Sequence, residues 1–382
     1  AERHERMGLF MSELDKKALP LEPYGCLDVE MLRRFSEANG ICGHEKGASR
    51  VMAEYLKDAA DTIDYDNLGS IIGCKKGKDG GPSVAIFGHL DEVGFLVKKI
   101  EDSGFIRLIN VGGMWPHLLL AQEVTITTRD GREYVGVISS PPPHGMPAEE
   151  RAKVKELEDL FIDLGVNDAD EVRALGIRVG DTITPRTQFR VMNNPNYLMG
   201  KAWDDRIGAA IATAVLRNLQ GVAADADVYA VGTVQEEVGL RGAQTAGYAV
   251  RPDIAIALDA TLASDVPGSK YGAPLGSGVT LCLMDGSVIC NRELVYIMEE
   301  ICEDLGLSYT HDIFLKGGTD SGSIHKLFNG VLNMTISIPA RAIHSHRAVI
   351  HRKDVADTIA LLTEFCKRLD WDMVERIRRS NR

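Results

Sequence analysis

The stretch VYAVGTVQEEVGLRGA, residues Val228–Ala243, joins a buried-strand pattern to a glycine-rich turn, with two adjacent glutamates between them. The run VYAVGTV is continuous rather than alternating, which is typical of a strand covered on both faces of a sheet. Glu236 and Glu237 repel each other as neighbouring like charges, and a cation beside them would offset that repulsion. The stretch therefore predicts a buried strand that ends in a charged site.

Three more continuous apolar runs predict further buried strands at Ser83–Phe87, Asp253–Leu258 and Val331–Ile338. Helical patterns, in which apolar residues recur every three or four positions, lie between these runs, as in Ile207–Leu219. Strands that alternate with helices are typical of an α/β domain. We therefore predict an α/β domain with a mixed, mostly parallel sheet.

The middle of the chain has a different pattern. From about residue 94 to about residue 190, short alternating segments such as VTITT, EYVGVIS and DTITP are separated by turns. One helical pattern, Pro147–Leu160, interrupts them. We predict a β-rich domain of residues 94–190, inserted into an α/β domain formed by residues 1–93 and 191–382, because insertions are tolerated at exposed loops.

Composition excludes several classes of function. The chain has 382 residues, 45% of them hydrophobic, which is enough for two domains. Its net charge of −12 argues against binding to nucleic acid or to an anionic membrane surface. No run approaches the roughly 18 apolar residues of a membrane span. The N-terminal segment AERHERMGLFMSELDKK lacks the apolar core of a secretory signal.

The cysteines bear on the compartment. There are seven, scattered and without a C-x-x-C pair. An odd, unpaired set is typical of a reducing compartment, so we predict a cytoplasmic protein.

Each predicted buried strand is followed by side chains that can bind a metal. In open α/β sheets, ligands bind in the crevice at the carboxyl ends of the strands. A further acidic pair, Asp204-Asp205, precedes the helical pattern that starts near Ile207. We therefore predict that these side chains converge on one site. The strand-end residues are His89, Asp91, Glu236, Glu237, Asp259 and His344.

A charge count indicates two metals. Asp204, Glu237 and Asp259, with neutral His89 and His344, would leave about one net positive charge on two divalent cations, which a bridging hydroxide would cancel. Histidine and carboxylate ligands with open positions suit Zn, and also Co or Mn. We predict that Asp204 bridges the two metals, because its segment belongs to neither strand pair.

The two glutamates are given different roles. Adjacent residues of an extended segment point to opposite sides, so Glu237 can bind a metal while Glu236 faces the metal-bound water as general base. Asp91 can accept the second ring N–H of His89 and fix its tautomer. His346, two residues beyond His344, is an alternative ligand. Asp204-Asp205 could instead cap the following helix.

The stretch GGTDSG is predicted to line a substrate cleft, since glycines let the backbone approach a ligand closely. Gly318 and Asp320 are the candidate substrate-binding residues. Two competing catalytic patterns, G-x-S-x-G and G-x-x-x-x-G-K-[ST], are absent from the chain.

Six stretches, in order, resemble the tetrahedral (TET) aminopeptidases and the related glutamyl aminopeptidases, a family of dinuclear metallopeptidases. They cover nearly the whole chain. The resemblance implies a zinc-peptidase-like α/β catalytic domain with an inserted β-barrel, PDZ-like, that serves in dimerisation. It also implies short peptides as substrates and homodimers that assemble into a hollow dodecamer. The stretches are GHLDEVGF, KAWDDRIG, VQEEVGLRGA, LDATLASDVPG, KGGTDSGSI and IPARAIHS.

The resemblance also implies a ligand set. His89, Asp204 and Asp259 would hold one metal. Asp204, Glu237 and His344 would hold the other. This is the same set of five residues that the strand-end pattern indicates.

The remaining roles follow from the resemblance in the same way. Glu236 would be the general base, and Asp91 would orient His89. The family's last histidine directly precedes a serine, which selects His344 over His346. Trp203 and His346 depart from the family's usual residues, and both could shape the pocket.

We predict a dinuclear metallo-aminopeptidase that removes N-terminal residues from short peptides, with a metal-bridging hydroxide and Glu236 as general base. One alternative is a metal-dependent deacylase of N-acyl amino acids, which would use the same metals. Another is a non-catalytic metal-binding scaffold, which would not need Glu236. Glycan hydrolysis is disfavoured, because carboxylates that bind metals are poorly placed to flank a glycosidic bond.

Overall fold

The computed structural model describes Tyr24 and residues 27–382. The N-terminal segment discussed above, Cys26 and the first part of the predicted catalytic domain lie outside the described residues. Within them, no helix is long and apolar enough to cross a membrane.

The largest sheet has eight strands, and the four at its centre are parallel to one another. Of its seven pairings four are parallel and three are antiparallel, so the predicted mixed sheet is confirmed. In spatial order the strands are β1 (Thr62–Tyr65), β2 (Ile71–Lys75), β12 (Asp227–Thr233), β3 (Ser83–His89), β13 (Ile254–Leu262), β16 (Leu332–Ala340), β14 (Val279–Asp285) and β15 (Tyr309–Phe314).

The parallel register brings the ends of the central strands to one level. Thr233 at the end of β12 lies opposite His89 at the end of β3. Phe87 lies opposite Ala257 of β13, so Asp259, two residues further on, is at the level of His89. Because of this alignment, residues that are far apart in the sequence lie close together at one edge of the sheet.

Helices cover both faces of this sheet. Alternate residues of the central strands belong to two different apolar cores, as expected for strands buried on both faces. One core includes residues of α1 (Val29–Glu37), α2 (Lys46–Leu56), α5 (Trp203–Asn218), α7 (Arg292–Leu305), α9 (Arg352–Arg368) and α10 (Trp371–Arg379). The other includes residues of α6 (Arg241–Val250) and α8 (Ser321–Ile324).

Six antiparallel strands close into a barrel with an apolar core of its own. This confirms the predicted β-rich insertion as a barrel, while the exact domain boundaries stay a prediction. The strands are β4 (Gly94–Ile100), β5 (Ile106–Val111), β6 (Glu123–Thr127), β7 (Glu133–Ser139), β8 (Phe161–Asp163) and β9 (Thr182–Pro185). Two short helices, α3 (Ala148–Arg151) and α4 (Ala169–Ala174), lie between barrel strands.

The helix predicted at Pro147–Leu160 is wrong. The chain makes one turn of helix in α3, then extends, then makes a 3₁₀ turn at Leu157–Asp159. Most of this segment is exposed, so it has no buried apolar face to stabilise a longer helix.

A small third sheet links the barrel to the site. It pairs β10 (Arg190–Val191), β11 (Tyr197–Gly200) and β17 (Ala348–His351). The loop between β16 and β17 carries His344 and lies against the barrel.

Candidate metal centre

His89 ends β3 and is buried. Its Nδ1 lies 3.0 Å from the carbonyl oxygen of Asp91, which accepts the ring N–H and leaves Nε2 free to face the cluster. The carboxylate of Asp91 is further from Nδ1, at 3.6 Å. Asp91 therefore orients His89 mainly through its backbone, rather than through the side chain as predicted.

The carboxylate of Asp91 instead holds the two glutamates. One oxygen accepts the backbone N–H of Glu236 at 3.0 Å, and the other accepts that of Glu237 at 3.0 Å. The thiol of Cys42 donates to the same carboxylate at 3.0 Å. Asp91 thus ties the end of β3 to the turn after β12.

Glu236 and Glu237 do not lie in an extended segment as predicted. The chain bends after β12, and Gln235 has a left-handed φ of 57°. The two side chains still diverge: Glu236 Oε2 lies 3.8 Å from His89 Nε2, and Glu237 Oε1 lies 3.2 Å from His344 Nε2. The bend, rather than strand alternation, separates the two carboxylates.

Asp204 lies between the two histidines. Its Oδ1 is 3.2 Å from His89 Nε2, and its Oδ2 is 3.1 Å from His344 Nε2. Each of the two oxygens therefore faces a different half of the cluster.

Asp205 caps the helix that follows it, which is the alternative role predicted for the pair Asp204-Asp205. Its Oδ1 accepts the N–H of Gly208 at 3.0 Å, and its Oδ2 accepts the N–H of His89 at 3.1 Å. A Cβ at position 208 would come within 2.2 Å of this carboxylate, so only glycine fits there. Asp205 thereby frees its neighbour Asp204 for the cluster.

The barrel and the loop after β16 decide between the two candidate histidines. Nδ1 of His344 lies 2.6 Å from the carbonyl oxygen of Gly113, in a barrel loop, and its Nε2 faces the cluster. His346 is buried elsewhere, with Nε2 3.0 Å from the carbonyl oxygen of Glu123. Burial lowers the pKa of His346 to about 4, so this ring is neutral near pH 7. The structure brings His344, and not His346, to the cluster.

Three overlapping groups of side chains could hold a metal ion, with ligand atoms within 4.8 Å of one another. Two of them contain the residues proposed for the two metals. The third would make Glu236 a ligand, although its 3.8 Å contact with His89 is longer than that of Asp204. The groups are His89–Asp204–Asp259, Asp204–Glu237–His344 and His89–Glu236–Glu237.

The electrostatics of the cluster fit bound cations. Burial, together with Asp204 and other acidic neighbours, raises the pKa of Asp259 well above its usual range. Burial and acidic neighbours also raise the pKa of Glu236, although His89 opposes this. Glu237 Oε1 is buried without a hydrogen-bond partner in the described chain, despite its short contact with His344. Divalent cations would compensate both the crowded charge and this unpaired oxygen.

The cluster forms one end of a cavity of about 590 Å³. Gly318 lies in the cavity wall, as predicted for a residue that lines the cleft. Asp320 is not in the wall but is buried beneath it, where it accepts a hydrogen bond from Thr233 at 2.5 Å. The two substrate-binding candidates therefore occupy different places.

Sequence reasoning missed a buried ion-pair network beside the site. Lys201 Nζ lies 2.8 and 2.9 Å from the two carboxylate oxygens of Glu92. Arg206 donates to the carbonyl oxygens of Phe35 and Ala38 and lies 3.5 Å from Glu92. The signal was present, because Glu92 ends the stretch HLDE, and Lys201 and Arg206 begin and end KAWDDR, but only their neighbours were predicted to be functional.

Removing metal is expected to reverse the pH dependence of stability. Burial raises the folded pKa of Asp259 and Glu236 above the unfolded value of about 4, so their ionisation costs stability as pH rises. Although burial opposes it, pairing with Asp204 and Glu237 raises the pKa of His344 to about 11. Its contribution is therefore complete below about pH 6.5 and is lost progressively as the pH rises from there towards the folded pKa of about 11.

The metal-free protein should therefore melt about 3 °C or more lower at pH 9 than at pH 6. Metal-loaded protein should not, because protons compete with metal for the same ligands at low pH. Melting curves of chelator-treated and Zn-loaded samples at both pH values measure the difference. A chelated protein that gains more stability than the loaded one between pH 6 and pH 9 would contradict this account.

Fold and site together define a class of protein. An α/β domain whose strand ends gather histidines and carboxylates around a cavity, with a barrel inserted beside it, is the architecture of a metal-dependent peptidase. A family model of M42 glutamyl aminopeptidases matches residues 69–361. The chain belongs to this M42 glutamyl aminopeptidase family, and it is a metallo-aminopeptidase, a hydrolase.

Individual relatives agree with this assignment. The glutamyl aminopeptidase of Lactococcus lactis subsp. cremoris (strain MG1363) is 31% identical over 351 residues, which cover 91% of this chain and 98% of the relative. The TET aminopeptidase from the marine sediment archaeon Thaumarchaeota archaeon SCGC AB-539-E09 matches with a TM-score of 0.88 and 38% identity, over 91% of this chain and 98% of that chain.

A third similar protein, PhTET1-12s, has been solved with a dodecamer in the asymmetric unit. It matches with a TM-score of 0.80 and 28% identity, over 90% of this chain and 100% of that chain. The resemblance read from the six sequence stretches is therefore confirmed.

Proposed function

We propose that this aminopeptidase removes N-terminal residues from short peptides with two divalent metal ions, one held by His89, Asp204 and Asp259 and the other by Asp204, Glu237 and His344. The observation that carries the proposal is the position of Asp204, whose two oxygens lie 3.2 and 3.1 Å from the two histidines. A single carboxylate placed in this way can serve both metals. We propose Zn as the metal, with Co or Mn as alternatives, on the basis of the ligand types.

Bound metals of this kind polarise a carbonyl oxygen and activate water for attack. The contribution of the protein's own residues is to hold the proton of each histidine ring on Nδ1, the nitrogen that points away from the cluster. Nδ1–H of His89 donates to the carbonyl oxygen of Asp91, and Nδ1–H of His344 donates to the carbonyl oxygen of Gly113, so that Nε2 of each ring faces the cluster. With metal bound, each ring would present an unprotonated Nε2 to the cluster.

Glu236 is the proposed general base. Its carboxylate lies beside the cluster, 3.8 Å from His89 Nε2, and is buried with the cavity on one side. Glu236 Oε2 would take a proton from the attacking water and return it to the leaving amine. Asp91 supports this role through its hydrogen bond to the backbone of Glu236.

The acidic surroundings favour a free α-amine over an acylated one. An α-amine has a pKa near 8 and is largely cationic at neutral pH, whereas an N-acyl group is neutral. This contrast is the reason for preferring an aminopeptidase to the alternative deacylase. A non-catalytic scaffold would have no use for the carboxylate of Glu236 beside the ligands.

We expect chelator-stripped protein to be inactive and to release amino acids from aminoacyl anilides once Zn, Co or Mn is restored. The matched N-acetylated anilides should be cleaved far more slowly, by at least about 100-fold, because they lack the cationic amine. Release is measured by anilide absorbance, with Mg as a further test metal. A deacylase would instead break the acyl–nitrogen bond of the acetylated series, so release of acetate without release of aniline from either series would favour it. No cleavage of either series would favour the scaffold.

We propose that the barrel, residues 94–190, mediates dimerisation and that the dimers assemble into a dodecamer. Its outer face exposes Ile109, Val135 and Val137, which a partner could cover. The dodecamer of PhTET1-12s supports the larger assembly. Light scattering of the purified protein tests the number of subunits. The cytoplasmic location stays a prediction that rests on cysteine usage.

A further inference from the structure

The cavity continues beyond the metal cluster to a second pair of acidic side chains. Asp285 at the end of β14 and Asp312 on β15 line the cavity, and each is about 5% exposed. Neither forms an ion pair with any residue in the described part of the chain. Two nearly buried carboxylates without a cation are costly unless a ligand supplies the charge.

Asp312 is placed to face a ligand. One oxygen, Oδ2, accepts a hydrogen bond from Thr261 at 2.5 Å, while Oδ1 accepts none from the described residues. Thr261 lies two residues beyond Asp259 on β13, which is about 6.6 Å along a strand. Asp312 is therefore hydrogen-bonded to a residue of the strand that carries the proposed metal ligand Asp259.

Asp285 forms the adjoining wall. Its Oδ1 accepts N–H groups of Ser287 and Val288, and its Oδ2 accepts the hydroxyl of Thr319 at 2.9 Å. Thr319 follows Gly318, so this carboxylate supports the glycine stretch in the cavity wall. These hydrogen bonds hold the carboxylate of Asp285 in a fixed position.

The negative charge of this end of the cavity is offset only in part. Two divalent ions would balance four carboxylates, namely the three among the proposed metal ligands and that of the general base Glu236. Asp285 and Asp312 then add two negative charges. The cation in this wall is Lys316, which is exposed and makes no ion pair within the described residues. The far end of the cavity therefore remains acidic.

We propose that Asp312, assisted by Asp285, selects peptides whose N-terminal residue has a basic side chain, such as lysine or arginine. The inference rests on the proposed aminopeptidase function. With the N-terminal residue's α-amine and scissile carbonyl at the metal cluster, its side chain reaches into the acidic end. A lysine stem spans the apolar part of the wall near Phe314, and its ammonium meets Oδ1 of Asp312.

The test compares lysyl with norleucyl anilide on the metal-loaded enzyme, because norleucine has a similar unbranched chain without the charge. We expect kcat/KM for the lysyl substrate to be about 10- to 100-fold higher. Glutamyl anilide should be the poorest of the three. A norleucyl or glutamyl preference would overturn the inference while leaving the aminopeptidase intact. If none of these anilides, nor any other aminoacyl anilide, is cleaved with any metal, the proposed function itself fails.

The variant Asp312→Asn isolates the charge, since asparagine can still accept the hydrogen bond from Thr261. It should lower kcat/KM for lysyl anilide about 10- to 100-fold and leave norleucyl anilide within about threefold. Asp304→Asn, an exposed residue that pairs with Arg368, is the matched control and should keep the wild-type ratio. An equal loss on both substrates would contradict a selective role. If Asp312→Asn fails to fold, the ratio of kcat/KM for lysyl and norleucyl anilide in the wild-type enzyme still tests the proposal.

Discussion

Replacing Glu236 with glutamine is expected to lower kcat by about 100- to 10,000-fold while metal content stays near that of the wild type. Glutamine keeps the size of the side chain but cannot accept a proton. The hydrogen bond from the Glu236 backbone to Asp91 does not involve the side chain, so the turn after β12 should be retained. Steady-state kinetics on an aminoacyl anilide and elemental analysis of the same sample measure both quantities.

The matched control for this variant is Glu54→Gln, an exposed glutamate that pairs with Arg34 on the protein surface. It should leave both activity and metal content unchanged. Loss of metal from the Glu236 variant would mean that Glu236 is a ligand, as in the His89–Glu236–Glu237 group. Full activity would contradict its role as general base.

Replacing Asp204 with asparagine should remove metal from both halves of the cluster and reduce activity below detection. Its two oxygens face different histidines, and an amide offers only one oxygen and no charge in their place. Asp204 is also the one member common to both proposed ligand groups. We expect the metal content to fall from about two ions per chain to near zero after dialysis.

The control for the Asp204 variant must separate metal loss from misfolding. Circular dichroism and melting in the presence of a chelator should match those of chelated wild type, because both proteins then lack metal. Asp304→Asn serves again as the exposed aspartate control. Retention of one full equivalent of metal by Asp204→Asn would contradict the bridging assignment.

Much of this site could be predicted because it follows from strand register. A continuous apolar run predicts a central strand, and parallel strands of such a sheet end at one edge. His89, Glu237 and Asp259 follow such runs, so their convergence required no knowledge of the loops. The inserted barrel was predictable for a similar reason, because strand alternation replaces continuous apolar runs there.

What the sequence could not predict depends on contacts between distant parts of the chain. The strand-end pattern left His344 and His346 open, and only the family resemblance selected His344. The physical reason is a pair of barrel carbonyl oxygens, at Gly113 and Glu123, and a carbonyl leaves no sign in the sequence. The bend at Gln235 was missed because a non-glycine residue with left-handed φ is uncommon.

The two aspartates at the acidic end of the cavity were not predicted, for two different reasons. Asp285 follows an apolar run of residues just as Asp259 does, and the same pattern could have identified it. Asp312 could not have been found in this way, since it lies within β15 and its contact with Thr261 of β13 joins distant parts of the chain.

The central claim is that one cluster binds two metal ions that share Asp204. Anomalous diffraction from crystals grown with Zn, recorded above and below the absorption edge, tests it most directly. The account predicts two anomalous peaks per chain, one among His89, Asp204 and Asp259 and the other among Asp204, Glu237 and His344. A single peak among His89, Glu236 and Glu237, or no peak in this cluster, would contradict it.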